Sequence, residues 1–465
     1  MTGQRGPSTP PDAGARREHL AELIGSFIEA GVDSDAGRFD ELAHEVFAFQ
    51  YAHNEPYARY CDALGIRPES VAQWDEIPAY PTQSFKDEIV ASFDFGDAVM
   101  AQMTSGTTSA NQRGRIFRDE AGLRLVLAAN RVMTGAYLFP DLAAGSRCRL
   151  LLLAPSPQMA PSMGMAIGME ETRKAFGSPD SEFMMSRRGV EVVALLEALK
   201  HAQESCHPVA LIGSTSAFVY FARACQKKNV RFCLPPGSRV CDGGGYRGRF
   251  GEVTRQDYYE ICEEVLGVPR SHCVNTLGMA ESATNYFDNV LRDGYLGRAT
   301  GRAKCAPPWT RVRAVSVEDL TVLPPGEVGL LQHWDLANLP TVLAVQTDNL
   351  GYTDGEGGFE IVGRASMDGA RVSCEPSTRT VGPMGDKPLL RVLEAYVNFS
   401  IDFKMGRLRP QRVNSSIAEL EKAGPHAVPS CPILVDDIIA SADDPRSAAR
   451  VEEALDGHSD AVDTA

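Results

Sequence analysis

No stretch of the 465-residue chain approaches the roughly 20 consecutive apolar residues needed to cross a bilayer, so no membrane span is expected. The first residues, Met1 to Arg17, form a Pro/Gly/Ser-rich stretch without the apolar core of a signal peptide, and the expected compartment is the cytoplasm. Basic residues are in deficit: 46 Lys and Arg against 61 Asp and Glu leave a net charge of -15, which repels nucleic acid and removes DNA and RNA as expected partners. The eleven cysteines include no Cys-x-x-Cys pair, and the nine histidines share no metal-ligand spacing with them. Most of the cysteines therefore read as reduced, small, buried hydrophobes. Internal repeats are absent as well.

What is present is ordinary globular composition, 43% hydrophobic and 23% charged, in a chain long enough for more than one domain. Apolar residues recur at helical spacing over Glu18 to Ala30, with Leu20, Leu23, Ile24 and Phe27, and again over Arg38 to Asn54. From about Leu150 the pattern changes. Short apolar runs at Cys148 to Pro155 and Val209 to Ile212 alternate with helical stretches at Gly189 to Gln203 and Ser216 to Lys227. Continuous apolar runs between amphipathic helices imply strands buried on both faces, hence an α/β sheet covered by helices. Farther on, Val312 to Val317 and Gly329 to Leu331 read as strands joined through Leu323-Pro324-Pro325-Gly326, and a second Gly-rich turn follows at Asp354 to Gly358. This region is more β-rich, and a domain boundary is expected near Arg364.

Five segments carry possible chemistry. Met103 to Gly114 reads Met-Thr-Ser-Gly-Thr-Thr-Ser-Ala-Asn-Gln-Arg-Gly, which can aim backbone N–H groups and the hydroxyls of Thr104, Ser105, Thr107 and Thr108 at one polyphosphate. It lacks the Gly-x4-Gly-Lys-[Ser/Thr] spacing of a Walker loop. Gly243, Gly244 and Gly245 remove side chains so that backbone can lie against a flat ring or a phosphate. Glu281 stands just beyond a glycine turn, where a carboxylate can hold Mg²⁺. Asp348 can accept both hydroxyls of a ribose, and Arg364 ends a predicted strand with a guanidinium suited to phosphate. Taken singly, each could equally be a turn, a cap or a surface ion pair.

Their order resembles that of the adenylate-forming superfamily, and most closely the acyl-protein synthetases, the fatty-acid ligase component of the bacterial bioluminescence reductase complex. The resemblance spans roughly residues 75 to 375 and includes Ile77-Pro78, Pro81-Thr82-Gln83-Ser84-Phe85-Lys86, the Ser/Thr loop, Gly243 to Arg249 with Tyr258-Tyr259-Glu260, and Asp335-Leu336-Ala337-Asn338. It implies a large adenylation domain over residues 18–364, with mixed and parallel sheets and a β-rich subdomain, after a disordered tail at 1–17. A small C-terminal lid-like domain or tail would occupy 365–465. It further implies ATP and Mg²⁺ as cofactors. Thr104, Ser105, Gly106, Thr107 and Thr108 would hold the phosphates, and Gly243 to Gly245 would line the adenine pocket. Glu281 would ligate the metal, Asp348 the ribose, and Arg364 the nucleotide at an interdomain hinge. Cys374 matches by position the cysteine that receives the acyl group.

The implied reaction joins a carboxylic acid, expected to be a fatty acid, to AMP and passes the acyl group to a thiol, with an acyl reductase or acyl carrier protein as recipient. Leu277-Gly278-Met279-Ala280-Glu281 stands where the superfamily usually has Tyr-Gly-x-Thr-Glu, which removes an aromatic face and a hydroxyl unless Ser282 compensates. Two alternatives remain open. One is a coenzyme A ligase resembling phenylacetate-CoA ligases, with Cys374 incidental; the other is a weakly catalytic scaffold subunit.

Overall fold

The computed structural model describes residues 11–103, 114–160, 163–186, 189–227, 229–244, 255–368 and 371–375. Thr104 to Thr108, Gly245 and the segment after Glu375 lie outside these residues.

The chain opens with helices at Pro11–Glu29, Phe39–His53 and Glu55–Leu64. The first begins inside the stretch expected to be a disordered tail. A proline fits a first helical position, where its missing N–H costs nothing. Ala13 is buried, and Arg17 pairs with Asp119 at 2.9 Å, so this turn is docked by tertiary contacts that periodicity alone does not reveal. The third helix has clear local stops: the Asn54 side chain accepts from Tyr57 N, and Gly65 ends the helix at φ 71°. Leu20, Ile24, Phe27, Val46 and Phe47 turn into one core shared with the helix Glu120–Leu138.

Six strands form one sheet in the order Tyr286–Phe287, Cys273–Leu277, Arg239–Gly243, Val209–Ser214, Arg149–Leu153, Glu182–Phe183. All its pairings are parallel except that of the edge strand Tyr286–Phe287. Alternate residues of the central strands feed separate cores. Leu150, Leu152, Ala210 and Ile212 join the core of the N-terminal helices, whereas Leu151, Leu153, Val209 and Leu211 meet the helices Val192–Ser205, Thr215–Lys227 and Arg255–Leu266. Burial on both faces is why the sequence shows unbroken apolar runs here.

The second sheet has seven strands. Lys304–Cys305, Gly358–Asp368, Ala344–Thr353, Gly329–Asp335 and Thr310–Val315 are antiparallel neighbours in that order. Tyr80–Pro81 joins Ala344–Thr353 in parallel, and Arg371–Glu375 folds back along Gly358–Asp368. Arg364 therefore lies inside a strand that continues to Asp368, not at the strand end expected from sequence. Ala365-Ser366-Met367 carries no glycine or proline that would break the ladder. Met100–Met103 and Arg115–Arg118 form a separate antiparallel ribbon flanking the Ser/Thr segment.

One buried side chain staples the helical layer to this second sheet. Gln50, fully buried, donates to the carbonyls of Asn338 and Leu339 at 3.0 and 3.2 Å and accepts from Leu343 N at 2.7 Å. Gln50→Leu keeps the volume but orphans these groups, each at about 1–3 kcal/mol. A lowered thermal midpoint, with helix and sheet content retained by circular dichroism, is the expected outcome; an unchanged midpoint contradicts it.

Candidate functional site

The strand Cys273–Leu277 and the edge strand Tyr286–Phe287 pair Thr276 with Phe287 and Leu277 with Tyr286, so residues 278–285 form the turn between them. The fold holds that turn from several sides. Arg118 Nη2 donates to the Ala280 carbonyl at 3.0 Å, and Asn338 Nδ2 donates to the Glu281 carbonyl at 3.0 Å. Ser282 Oγ donates to Asp335 Oδ2 at 3.0 Å, Thr284 N to the same oxygen at 2.8 Å, and Thr284 Oγ1 to Asp335 Oδ1 at 3.1 Å. Trp309 Nε1 donates to Thr284 Oγ1 at 3.0 Å. With six hydrogen bonds between its backbone and hydroxyls and four side chains, the turn presents Glu281 from a firm support.

These bonds correct one expectation. Ser282 is buried and its hydroxyl is committed to Asp335, so it does not replace the hydroxyl missing at Ala280. Satisfying a buried carboxylate outweighs presenting a side chain to a ligand.

Glu281 is half-buried, and its environment shows what surrounds it. Burial raises its carboxyl above the ordinary value, Arg364 and Arg118 oppose that rise, and Asp348 adds to it. Glu281, Asp348 and Arg364 are thus electrostatic neighbours although they are distant in sequence. Sheet register accounts for two of them, because Asn349 stands opposite Arg364 on adjacent strands and Asp348 immediately precedes it. Asn349 Nδ2 also donates to Met279 Sδ at 3.4 Å, tying this strand to the Glu281 turn. Arg118, 1% exposed, lies beneath the turn and also donates to Gln102; burial pulls its guanidinium down to about 10 while Asp335 and Glu281 oppose the shift.

The glycine run begins where Arg239–Gly243 ends. A Cβ on Gly243 would meet Thr276 Cγ2 at 3.1 Å, and Gly244 has φ +99°, a conformation that favours glycine. Just before them, fully buried Asp242 accepts from Thr215 Oγ1 at 2.7 Å and Asn275 Nδ2 at 2.8 Å, while its Oδ1 has no hydrogen-bond partner. Burial pushes this carboxyl up to about 6 against those two hydrogen bonds. Beneath it, Asp288 pairs with Lys304 at 2.5 Å and Arg302 at 2.6 Å.

The structure therefore brings together Glu281, Asp348 and Arg364, with Gly243 and Gly244 ending a strand adjacent to the one that leads into the Glu281 turn. Thr104, Ser105, Gly106, Thr107, Thr108 and Gly245 lie outside the described residues. Cys374 is described in backbone only: it sits opposite Ala365, next to the Arg364–Glu375 pair. Sequence reasoning missed Arg118 and the supporting role of Asp335. Asp335 belongs to a quoted motif, but nothing local shows that its hydrogen-bond donors come from residues 282 and 284.

The raised carboxyl of Asp242 has a stability consequence. Its stabilising contribution is complete below the unfolded value near 3.8 and is lost as pH rises through about 6. Asp242→Asn removes this titration. The stability difference, measured by denaturant unfolding, should move in favour of the variant between about pH 4 and pH 6 and then level off; a difference independent of pH would rule this out.

Comparison with known proteins completes the description. The family model for acyl-protein synthetase, LuxE, matches residues 31–374 and so ends at Cys374. A long-chain-fatty-acid–luciferin-component ligase from Aliivibrio fischeri is 22% identical over 314 residues, covering 67% of this chain and 78% of the relative. Among solved structures, 2-hydroxyisobutyryl-CoA ligase in its postadenylation state with R3-HIB-AMP overlays with a TM-score of 0.51 at 13% identity, over 75% of this chain and 72% of that one. MatB from Rhodopseudomonas palustris, solved with ATP bound, overlaps less, with a TM-score of 0.42 at 15% identity; the match covers 59% of this chain and about half, 49%, of MatB. The chain belongs to the acyl-protein synthetase family of ligases and carries the α/β fold of the adenylate-forming enzymes.

Proposed function

We propose that this chain activates a carboxylic acid, of the fatty-acid class, as an acyl-AMP and transfers the acyl group to the thiol of Cys374. The observation that carries this reading is that Glu281, Asp348 and Arg364 are electrostatic neighbours, on a turn and two adjacent strands held by hydrogen bonds. The family assignment and the fatty-acid ligase activity in the relative's name support the substrate class.

A carboxylic acid resists acyl transfer because its oxygen leaves poorly. In the first step a carboxylate oxygen attacks the α-phosphorus of ATP and pyrophosphate leaves with the electron pair of the broken P–O bond. In the second, a thiolate attacks the acyl carbonyl and AMP departs. The residues contribute placement and charge neutralisation more than covalent chemistry. Asp348 accepts the ribose hydroxyls, Arg364 binds phosphate oxygens through its planar fork, and Gly243 and Gly244 admit the flat base. Thr104, Ser105, Gly106, Thr107, Thr108 and Gly245 complete the proposed nucleotide contacts.

The carboxyl pair fits a hard cation. Glu281 is raised by burial, and Asp348 is among its electrostatic neighbours. That matches Mg²⁺, which takes one or two carboxylates and fills its shell with water and substrate phosphates. Glu281 would hold the ion, which would supply charge neutralisation at the phosphates.

The recipient of the stored acyl group is proposed to be an acyl reductase or an acyl carrier protein. No described helix is long and apolar enough to cross a membrane.

Carboxylate-dependent exchange of pyrophosphate into ATP tests the first step. Arg364→Ala should lower it about 10- to 100-fold, the range expected for losing charged hydrogen bonds worth about 1.5–3 kcal/mol. With ATP and a labelled fatty acid, the wild-type protein should acquire hydroxylamine-labile label, and Cys374→Ala should lose the label while retaining exchange. Label that survives in Cys374→Ala, or acyl-coenzyme A as the product when coenzyme A is added, would remove Cys374 as the acceptor.

A further inference from the structure

Lys86 ends the short helical turn Thr82–Lys86, which directly follows the strand Tyr80–Pro81. That strand pairs in parallel with Ala344–Thr353, setting Tyr80 opposite Val345 and Pro81 opposite Gln346. The turn is therefore laid along the strand that carries Asp348. On its other side it packs against Arg115–Arg118, and Arg115 Nη2 donates to the Lys86 carbonyl at 3.5 Å. The Lys86 ammonium donates to Gln83 Oε1 at 2.5 Å and is an electrostatic neighbour of both Asp348 and Glu281.

The side chain is half-buried, and burial lowers its ammonium below the ordinary lysine value while Asp348, Asp87 and Glu281 hold it up. A lysine serving only as a surface charge would keep its full hydration. Here a flexible cation stands partly desolvated beside the two carboxylates to which the nucleotide and metal are assigned. In such surroundings a charge interacts with an incoming anion far more strongly than it would in water. The four-carbon stem also lets the ammonium shift from its protein partners to substrate oxygens without moving the backbone.

Resting on the adenylation reading, we propose that Lys86 is a catalytic residue of the first half-reaction: its ammonium contacts the substrate as the carboxylate oxygen meets the α-phosphorus. Lys86 stays protonated throughout. The bond formed is carboxylate oxygen to phosphorus, the bond broken is phosphorus to pyrophosphate oxygen, and the fixed positive charge offsets repulsion between the two anions. The second half-reaction, thiolate attack on the acyl-AMP, takes place after that repulsion has been overcome and does not depend on Lys86.

The test uses the full chain with Lys86→Gln and Lys86→Arg. Two readouts are compared: fatty-acid-dependent pyrophosphate exchange, and hydroxylamine-labile label acquired from chemically prepared, labelled acyl-AMP. Lys86→Gln should reduce the kcat of exchange by about 10²- to 10³-fold, the usual effect of losing one fixed electrostatic contact to a transition state. Label from supplied acyl-AMP should stay within a few fold of wild type in the same preparation, which also reports that the variant is folded. Lys86→Arg should retain more exchange than Lys86→Gln. Unchanged exchange in Lys86→Gln, or equal losses in both readouts, overturns the assignment of Lys86 alone. Absence of exchange in the wild-type protein with every acid tried overturns the adenylation reading, and this assignment with it.

Discussion

Asp335 is a fully buried carboxylate at the end of a central strand of the antiparallel sheet, and the site is organised around satisfying it. Its oxygens receive Ser282 Oγ, Thr284 N, Thr284 Oγ1 and Ala337 N. A buried carboxylate without such donors costs several kcal/mol, so the donors cannot drift. Three of them belong to the turn that leaves the parallel sheet, and the fourth lies just beyond Asp335 itself. The requirement therefore joins the two sheets at one point and fixes the backbone that carries Glu281. Arg118 and Asn338 complete the support by binding the carbonyls of Ala280 and Glu281.

The site gathers cations into a chain that is acidic as a whole. Although the protein carries a net charge of -15, Arg118, Lys86 and Arg364 gather around Glu281 and Asp348. Burial raises Glu281 and lowers Lys86 and Arg118. A group of mutually compensating but incompletely hydrated charges is well suited to exchanging internal pairings for those of an incoming phosphate and cation. Local arrangement here outweighs net charge, because water and salt screen distant surface carboxylates.

How much of this could be read from the residues differs from element to element. Leu150 to Leu153 and Val209 to Ile212 announce strands buried on both faces, since every position is apolar. The turns around Pro324-Pro325-Gly326 and Asp354 to Gly358 are equally visible, because proline and glycine act locally. The early start of the first helix was hidden: it depends on Ala13 burial and on the pairing of Arg17 with Asp119, contacts made across the fold. The continuation of the strand through Arg364 was hidden too, because the superfamily resemblance suggested a hinge there while Arg371–Glu375 supplies a ladder partner. Ser282 looked available as a substitute hydroxyl, and only the position of Asp335 shows that it is committed.

Composition and spacing by themselves determined an α/β protein with a helical opening, a parallel sheet and a later β-rich region. They also set the order of Glu281, Asp348 and Arg364. These properties follow from local periodicity, from turn chemistry and from the recurrence of short motifs. Only the tertiary structure decided that these three residues are electrostatic neighbours, that Lys86 joins them, and that Asp335 holds the Glu281 turn in place. Such relations come from the pairing of distant strands and from the satisfaction of buried polar groups, and neither leaves a periodic mark along the chain.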